Sequence, residues 1–313
     1  DLHLCDRRLR QMCIRDRFLK RVGKDRCMGS YRVMVRSRNY VAAFIKSFYK
    51  RNDMSMLELI SDFIKEFSVF LTTEQGLKNA TVWLACMWVK TIVLRAHYNG
   101  LIPRNPFAQF RITPNVKERE YLTEGEIRQL IEHEFTDATL AFTRDLFVFA
   151  CFTALSFADI RELTTDDIMD VNGEKWIISK RHKTGVPFQV KLLDIPLQII
   201  GKYRPFQKDN SVFGEINYWS ICKKLKNVIR ECNINKQISF HVARHTFGTL
   251  ALSKGMPIES VSRVLGHTNI KTTQIYAKIT TQKLGNDLTA FGNQLNRTFG
   301  NIKVAGAVSY THL

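Results

Sequence analysis

Three prolines, Pro103, Pro106 and Pro114, and the polar run 115–120 interrupt a chain otherwise patterned in helical repeats. Proline fixes φ and removes a backbone donor, so neither a helix nor a central strand continues through this stretch. The chain must fold as two units with separate cores. Its 313 residues, 45% of them hydrophobic, suffice for both. The expected division is a helical first unit over 18–111, a linker over 112–120 and a second unit over 121–295. The flanks, 1–17 and 296–313, fit neither pattern. Residues 1–17 carry five Arg against three Asp with no clean period. Both flanks are expected to be non-native or disordered, with a basic DNA-contacting arm as the alternative for the first.

In the first unit, Val41, Phe44, Ile45 and Phe48 recur at helical spacing within a segment, 18–50, that holds nine Lys/Arg and one Asp. Ser55 with Glu58 forms a capping-box pattern. It is expected to open a helix with Leu57, Ile60, Phe63, Ile64, Phe67 and Leu71 on one side. A longer helix is expected from about 78 to 99, stopped by Gly100. In the second unit, Thr123 with Glu126 is another capping box. An apolar helix is expected over 144–154 and a helix or turn over 157–163. The period then changes. Trp176, Ile177 and Ile178 read as a strand, Thr184-Gly185 as a turn, and 188–193 as the returning strand. Helices follow over 218–232, 240–254, 257–265 and 272–278. The fold class is mostly α with a small β-sheet.

Charge narrows the partner. Lys+Arg number 47 against 29 Asp+Glu, a net +18, and a polyanion, most commonly nucleic acid, matches such a surface. Phosphate contact is the expected use of the basic segment 18–50. Seven cysteines are scattered without a C-x-x-C pair. This speaks against a disulfide framework or zinc knuckle, and for a reducing compartment. The longest apolar run, 82–94, is too short for a membrane span and contains Lys90. Asp159, Asp166, Asp167 and Asp170 read as a helix end and a solvated turn rather than a metal site. A Walker glycine motif and G-x-S-x-G are both absent from the sequence.

Three segments place unusual polar groups in apolar helical surroundings. The first is His241-Val-Ala-Arg244-His245-Thr-Phe-Gly248, whose i, i+3 spacing puts His241 and Arg244 on one face. The second is Leu265-Gly266-His267. The third, Thr272-Thr273-Gln274-Ile275-Tyr276, brings a tyrosine nine residues after that histidine. In this order the segments resemble the C-terminal signature of the tyrosine recombinases, the phage-integrase family. Upstream, Lys183-Thr184-Gly185 resembles that family's β-hairpin lysine, with Lys180 as the neighbouring choice. The segment 153–160 resembles the one that usually reads T-G-L-R-x-x-E/D. Leu122-Thr123-x-x-Glu126-Ile127 resembles the entry to the catalytic domain, and Asn105-Pro106-Phe107 the linker. The resemblance spans roughly 20–290. One position departs from it: Ser156 stands where most relatives have arginine, as in the serine-bearing branch of conjugative-transposon integrases. Losing such a phosphate donor can cost on the order of 10²–10³ in rate. Arg181 and Arg161 are the candidates for the missing charge.

The resemblance implies a helical core-binding domain, a mixed α/β catalytic domain and a covalent 3′-phosphotyrosine on Tyr276. Arg244 would clamp nonbridging oxygens. His267 would donate to the phosphate, His241 would assist proton transfer at the tyrosine, and Lys183 would be the general acid. Ser156 would offer a neutral hydroxyl, and Asp159 would orient the histidine side of the site. His182 and His245 would be structural or DNA-facing. The bond energy stays in the phosphotyrosine, so no cofactor, ATP or metal is implied. The implied partner is double-stranded DNA at recombination sites, acted on by a homotetramer on two sites with accessory DNA-bending proteins, in the bacterial cytoplasm at the nucleoid. An N-terminal arm-binding domain would be absent or truncated. The tail 281–295, with Leu284, Leu288, Phe291 and Leu295 at helical spacing, would dock on a neighbouring protomer or on its own domain. Competing readings are a topoisomerase-like enzyme, a non-catalytic DNA-binding remnant and a metal-dependent nuclease.

Overall fold

The structure, a computed structural model, describes residues 20–24, 28–113, 120–182, 185–207, 209–276 and 281–300. The expectations for 1–17, for most of the linker and for Lys183-Thr184 lie outside these residues. The chain divides into two compact units, Asp1–Lys117 and Glu118–Leu313.

The first unit is built on α1 (Met28–Phe48), α2 (Ser61–Thr73) and α3 (Asn79–Tyr98). Their apolar stripes meet in an aromatic centre, where Phe44, Phe63, Phe67 and Phe107 are almost wholly buried. Phe44 stands edge-on to Phe63 at 5.2 Å, and Phe63 stacks with Phe107 at 6.2 Å. Phe107 reaches that core because Asn105 Oδ1 accepts its N–H at 3.0 Å, bending the proline-bearing segment back onto the helices. Two expectations fail here. The Ser55–Glu58 capping box is formed, but it caps a single 3₁₀ turn, Met56–Glu58. The backbone is extended at Leu59 and Ile60 before α2 begins. The break resets the helical phase, so Leu57 and Ile60 are exposed rather than in line with Phe63. Phe48, at the last residue of α1, is also exposed and leans on Phe44 at 5.2 Å.

The second unit opens with α4 (Glu124–Glu132), capped by Thr123 and Glu126 as expected. The central helix α5 (Ala138–Thr153) starts six residues before the expected 144, because Asp137 caps it by accepting from Thr139 N–H at 2.7 Å. Leu146 to Ala150 are all buried, so α5 is packed on every side. After the short α6 (Phe157–Arg161), a 3₁₀ turn leads into an antiparallel meander. It comprises β1 (Ile168–Val171), β2 (Glu174–Lys180) and β3 (Pro187–Lys191) in that order. Two elements were not anticipated, β1 and α7 (Asp194–Tyr203). The neighbouring carboxylates are turn groups, as read. Asp167 caps the 3₁₀ turn with Thr164, and Asp170 accepts from Gly173 N–H at 2.9 Å. The chain continues through α8 (Tyr218–Glu231), α9 (Val242–Ser253) and α10 (Ile258–Leu265). Of the helix expected over 272–278, residues 277 and 278 lie outside the described residues, and the described part is instead two 3₁₀ turns, Ile270–Thr272 and Gln274–Tyr276. Asn269 caps the first through Lys271 N–H at 2.9 Å, and the β-branched Ile270, Thr272, Thr273 and Ile275 resist a regular α-helix. The last helix, α11 (Thr281–Phe299), runs past the expected limit at 295. The architecture is thus mostly helical with one small sheet. Among the described residues, no helix is long and apolar enough to cross a membrane.

Candidate active site

Helix α9 is the bed of the site. His241 sits at its N-cap position, Arg244 and His245 in its first turn, and Gly248 one turn further on. The ring of Tyr276 lies directly on Gly248, where a Cβ would come within 2.8 Å of the ring's Cδ2. Tyr276 is only 7% exposed and packs among Ala154, Leu252, Val261 and Leu265. Its phenol oxygen is 2.8 Å from Nδ1 of His245. The His241 ring stands edge-on to His245 at 4.6 Å.

His267 arrives from α10 through a tight C-terminal turn. Gly266 takes the left-handed conformation (φ 63°), and His267 N–H donates to Ser262 O at 3.0 Å, closing a Schellman turn. The Nδ1 of His267 is 2.8 Å from the hydroxyl of Thr273. Burial, reinforced by the charges of Arg244, Arg181 and His241, pushes the His267 pKa down to about 4. The ring is neutral at neutral pH.

Two guanidiniums lie together, Arg181 buried and Arg244 half-buried. Arg244 donates to Ala154 O at 3.0 Å and also to Leu265 O. Arg181 donates to Val264 O at 2.6 Å, to Asp159 Oδ2 at 2.7 Å and, weakly, to the same Ala154 O at 3.5 Å. That carbonyl points inward because Ala154 is left-handed (φ 57°) at the end of α5. Arg181 also lies 4.1 Å over the Phe188 ring, and its Nε–H is buried without a hydrogen-bond partner. Desolvation, with repulsion from Arg181 next, lowers the Arg244 pKa to about 10, still protonated at neutral pH. At Asp159, burial works to raise the pKa, but the Arg181 charge and hydrogen bonds outweigh it and the net shift is downward.

Several expected residues therefore converge. Arg244 interacts with Tyr276 and Arg181, and His267 with Arg244, Arg181 and His241, so these side chains form one cluster. Asp159 orients Arg181 and Ser156 rather than an imidazole. Ser156 caps α6, its hydroxyl donating to Asp159 Oδ2 at 2.8 Å and accepting from Asp159 N–H. It also lines, with Arg161, Tyr218, Phe240, His241 and Arg244, a cavity of about 320 Å³. Arg161 is exposed at that cavity and paired with Glu162 at 2.9 Å. Lys183 lies outside the described residues. His245, read from the sequence as structural or DNA-facing, is instead the group in contact with the Tyr276 hydroxyl. The available signal, its spacing of four from His241 and three from Gly248, marks only a shared helix face. Among the described residues, no group of three or more His, Cys, Asp or Glu could hold a metal ion.

Residues 120–283 match the phage integrase family, and residues 14–112 match the phage integrase SAM-like domain. The chain belongs to the phage integrase family. It is a tyrosine site-specific recombinase, as its relatives also indicate. A tyrosine recombinase of Thermosipho africanus is 23% identical, over 72% of this chain and 80% of that protein. The tyrosine recombinase XerC of Oceanobacillus iheyensis is 25% identical, over 75% of this chain and 86% of that one. Among solved structures, the Tn1549 transposon integrase in complex with a circular intermediate DNA aligns with a TM-score of 0.73 at 16% identity. It covers 93% of this chain and all of that one. A lambda integrase dimer bound to a core site aligns with a TM-score of 0.66 at 15% identity, covering 83% and 93%. At these identities the likeness establishes the fold of this integrase.

Proposed function

We propose that this family member cuts and rejoins duplex DNA of a mobile element through Tyr276, with Arg244, Arg181 and His267 holding the scissile phosphate. The observation that carries this reading is the seat of Tyr276: its ring rests on the helix that carries Arg244, whose half-buried guanidinium interacts with it and with the buried guanidinium of Arg181. Those charges repel each other, and one N–H of Arg181 lacks a partner. A phosphate relieves both conditions, since charge-assisted bonds to guanidinium are strong and planar.

In the proposed step the phenol oxygen attacks phosphorus and the bond to the 5′-oxygen breaks. A 3′-phosphotyrosine forms and a 5′-hydroxyl leaves. His245 takes the phenol proton, with His241 packed behind it, and Lys183 protonates the departing oxygen. Arg181 supplies the charge that Ser156 lacks, and Asp159 keeps it in place. Arg161, at the cavity, is the weaker candidate because it is exposed, whereas Arg181 is buried beside Arg244. Rejoining reverses the step, so the phosphate bond is conserved without ATP. The Tn1549 and lambda integrases were each solved on DNA. This chain takes the same class of partner, with the basic segment at 18–50 gripping phosphates. Recombination between two sites then calls for four copies, with accessory DNA-bending proteins as further partners. The exposed Leu284, Leu288, Phe291 and Leu295 of α11 offer a face for a neighbouring copy.

The test is covalent capture. Incubated in EDTA with a pool of nicked duplexes of randomised sequence, the full chain should form an SDS-resistant DNA adduct. Tyr276→Phe should form none. An adduct that persists in Tyr276→Phe overturns the assignment, and strand cleavage that leaves no adduct and appears only when magnesium replaces EDTA points to a metal-dependent nuclease.

A further inference from the structure

We infer that Thr273 is a positioning residue for the chemistry: its hydroxyl fixes which nitrogen of His267 carries the proton and is presented to the substrate phosphate. The inference deepens the reading of His267 as a phosphate donor and rests on it.

Thr273 is fully buried between the two 3₁₀ turns. Its backbone is locked at both ends, its N–H donating to Ile270 O at 2.8 Å and its carbonyl accepting from Tyr276 N–H at 3.0 Å. Its Oγ1 is 2.8 Å from His267 Nδ1. Thr273 thus ties the histidine that follows Gly266 to the turn that ends in the nucleophile.

The direction of that hydrogen bond follows from the hydroxyl's own needs. A threonine hydroxyl has one proton to place, and leaving a buried donor unmade is costly. The partner within reach is Nδ1. The hydroxyl therefore donates and Nδ1 accepts. A neutral imidazole that accepts at Nδ1 must carry its proton on Nε2. Burial and the two nearby guanidiniums keep the ring neutral, which removes the alternative of a doubly protonated ring. Nε2–H is then the donor on the opposite edge of the half-buried ring. His267 brings a directed hydrogen bond to the site, while the arginines bring the charge. In the opposite tautomer Nε2 would be a lone pair and would repel a phosphate oxygen.

The tautomer is measurable without DNA. Two-bond ¹H–¹⁵N spectra of the full chain with labelled histidine distinguish the two neutral forms, and the His267 signal is the one lost in His267→Gln. The wild-type protein should show the Nε2–H form, Thr273→Ser should keep it, and Thr273→Val should shift toward Nδ1–H. Single-turnover adduct formation, on a duplex recovered from the randomised pool at saturating DNA, should fall on the order of tenfold in Thr273→Val. It should return to within about twofold of wild type in Thr273→Ser, with Kd unchanged in both. An Nδ1–H tautomer in the wild type overturns the inference. So does Thr273→Val with the wild-type tautomer and rate. If His267→Gln forms adduct normally, the phosphate role of His267 fails, while the tautomer result still stands by itself.

Discussion

At the scale of single residues, the site separates groups that carry charge from groups that hold them. Arg181 carries charge and Ser156 holds backbone, although it is Ser156 that stands where most relatives have arginine. Arg181→Ala should therefore slow adduct formation by on the order of 10²–10³ with little change in duplex affinity. Ser156→Ala should act mainly on the fold. Losing an N-cap costs about 1 kcal/mol, read as a lower urea midpoint, while the adduct rate changes far less. His267 gives a pH signature. Its pKa is near 4 in the folded chain, chiefly through burial, against an ordinary 6.5. Between those values the unfolded chain binds the proton more tightly, so stability is present above the window and declines as pH falls through it. Urea midpoints taken from pH 7 down to 4.5 should fall, and His267→Gln should flatten that trend.

At the scale of elements, the segment from α10 to Tyr276 is held by a left-handed glycine and two 3₁₀ turns. Gly266 is left-handed, and a Cβ there would stand 3.0 Å from Arg181 Nε. Gly266→Ala should cost about 1–2 kcal/mol from backbone conformation alone. It should also displace Arg181, so that adduct formation falls even where thermal unfolding shows a folded protein. The L-G-H and H-x-x-R motifs were legible because they are contiguous and tied to turn and helix spacing. The helical core of the first unit was legible from periodicity. What the sequence concealed has local causes. The Ser55 capping box looks the same whether it starts a full helix or one 3₁₀ turn. β1 lies beneath Asp166, Asp167 and Asp170, whose turn-forming character masks a four-residue strand. α7 carries Pro196 in its first turn, which reads as an interruption, although proline is tolerated at a helix start. His245 was read as structural or DNA-facing because the tyrosine it meets lies 31 residues further on, and no local spacing signals that contact.

At the scale of the whole molecule, a net charge of +18 makes ionic strength the main control on affinity. If six or more phosphates are engaged, duplex Kd should weaken by about 10³-fold or more between roughly 50 and 200 mM salt, measured by fluorescence anisotropy. The seat of Tyr276 bears on how copies of the protein divide their labour. Tyr276, the proposed nucleophile, rests on Gly248, one turn beyond Arg244, the proposed phosphate clamp, within one continuous chain. Each copy is thus equipped to attack the strand it holds, without borrowing a tyrosine from its neighbour. Two defective proteins, Tyr276→Phe and Arg244→Ala, should stay inactive when mixed; restored cleavage would mean the tyrosine is donated in trans.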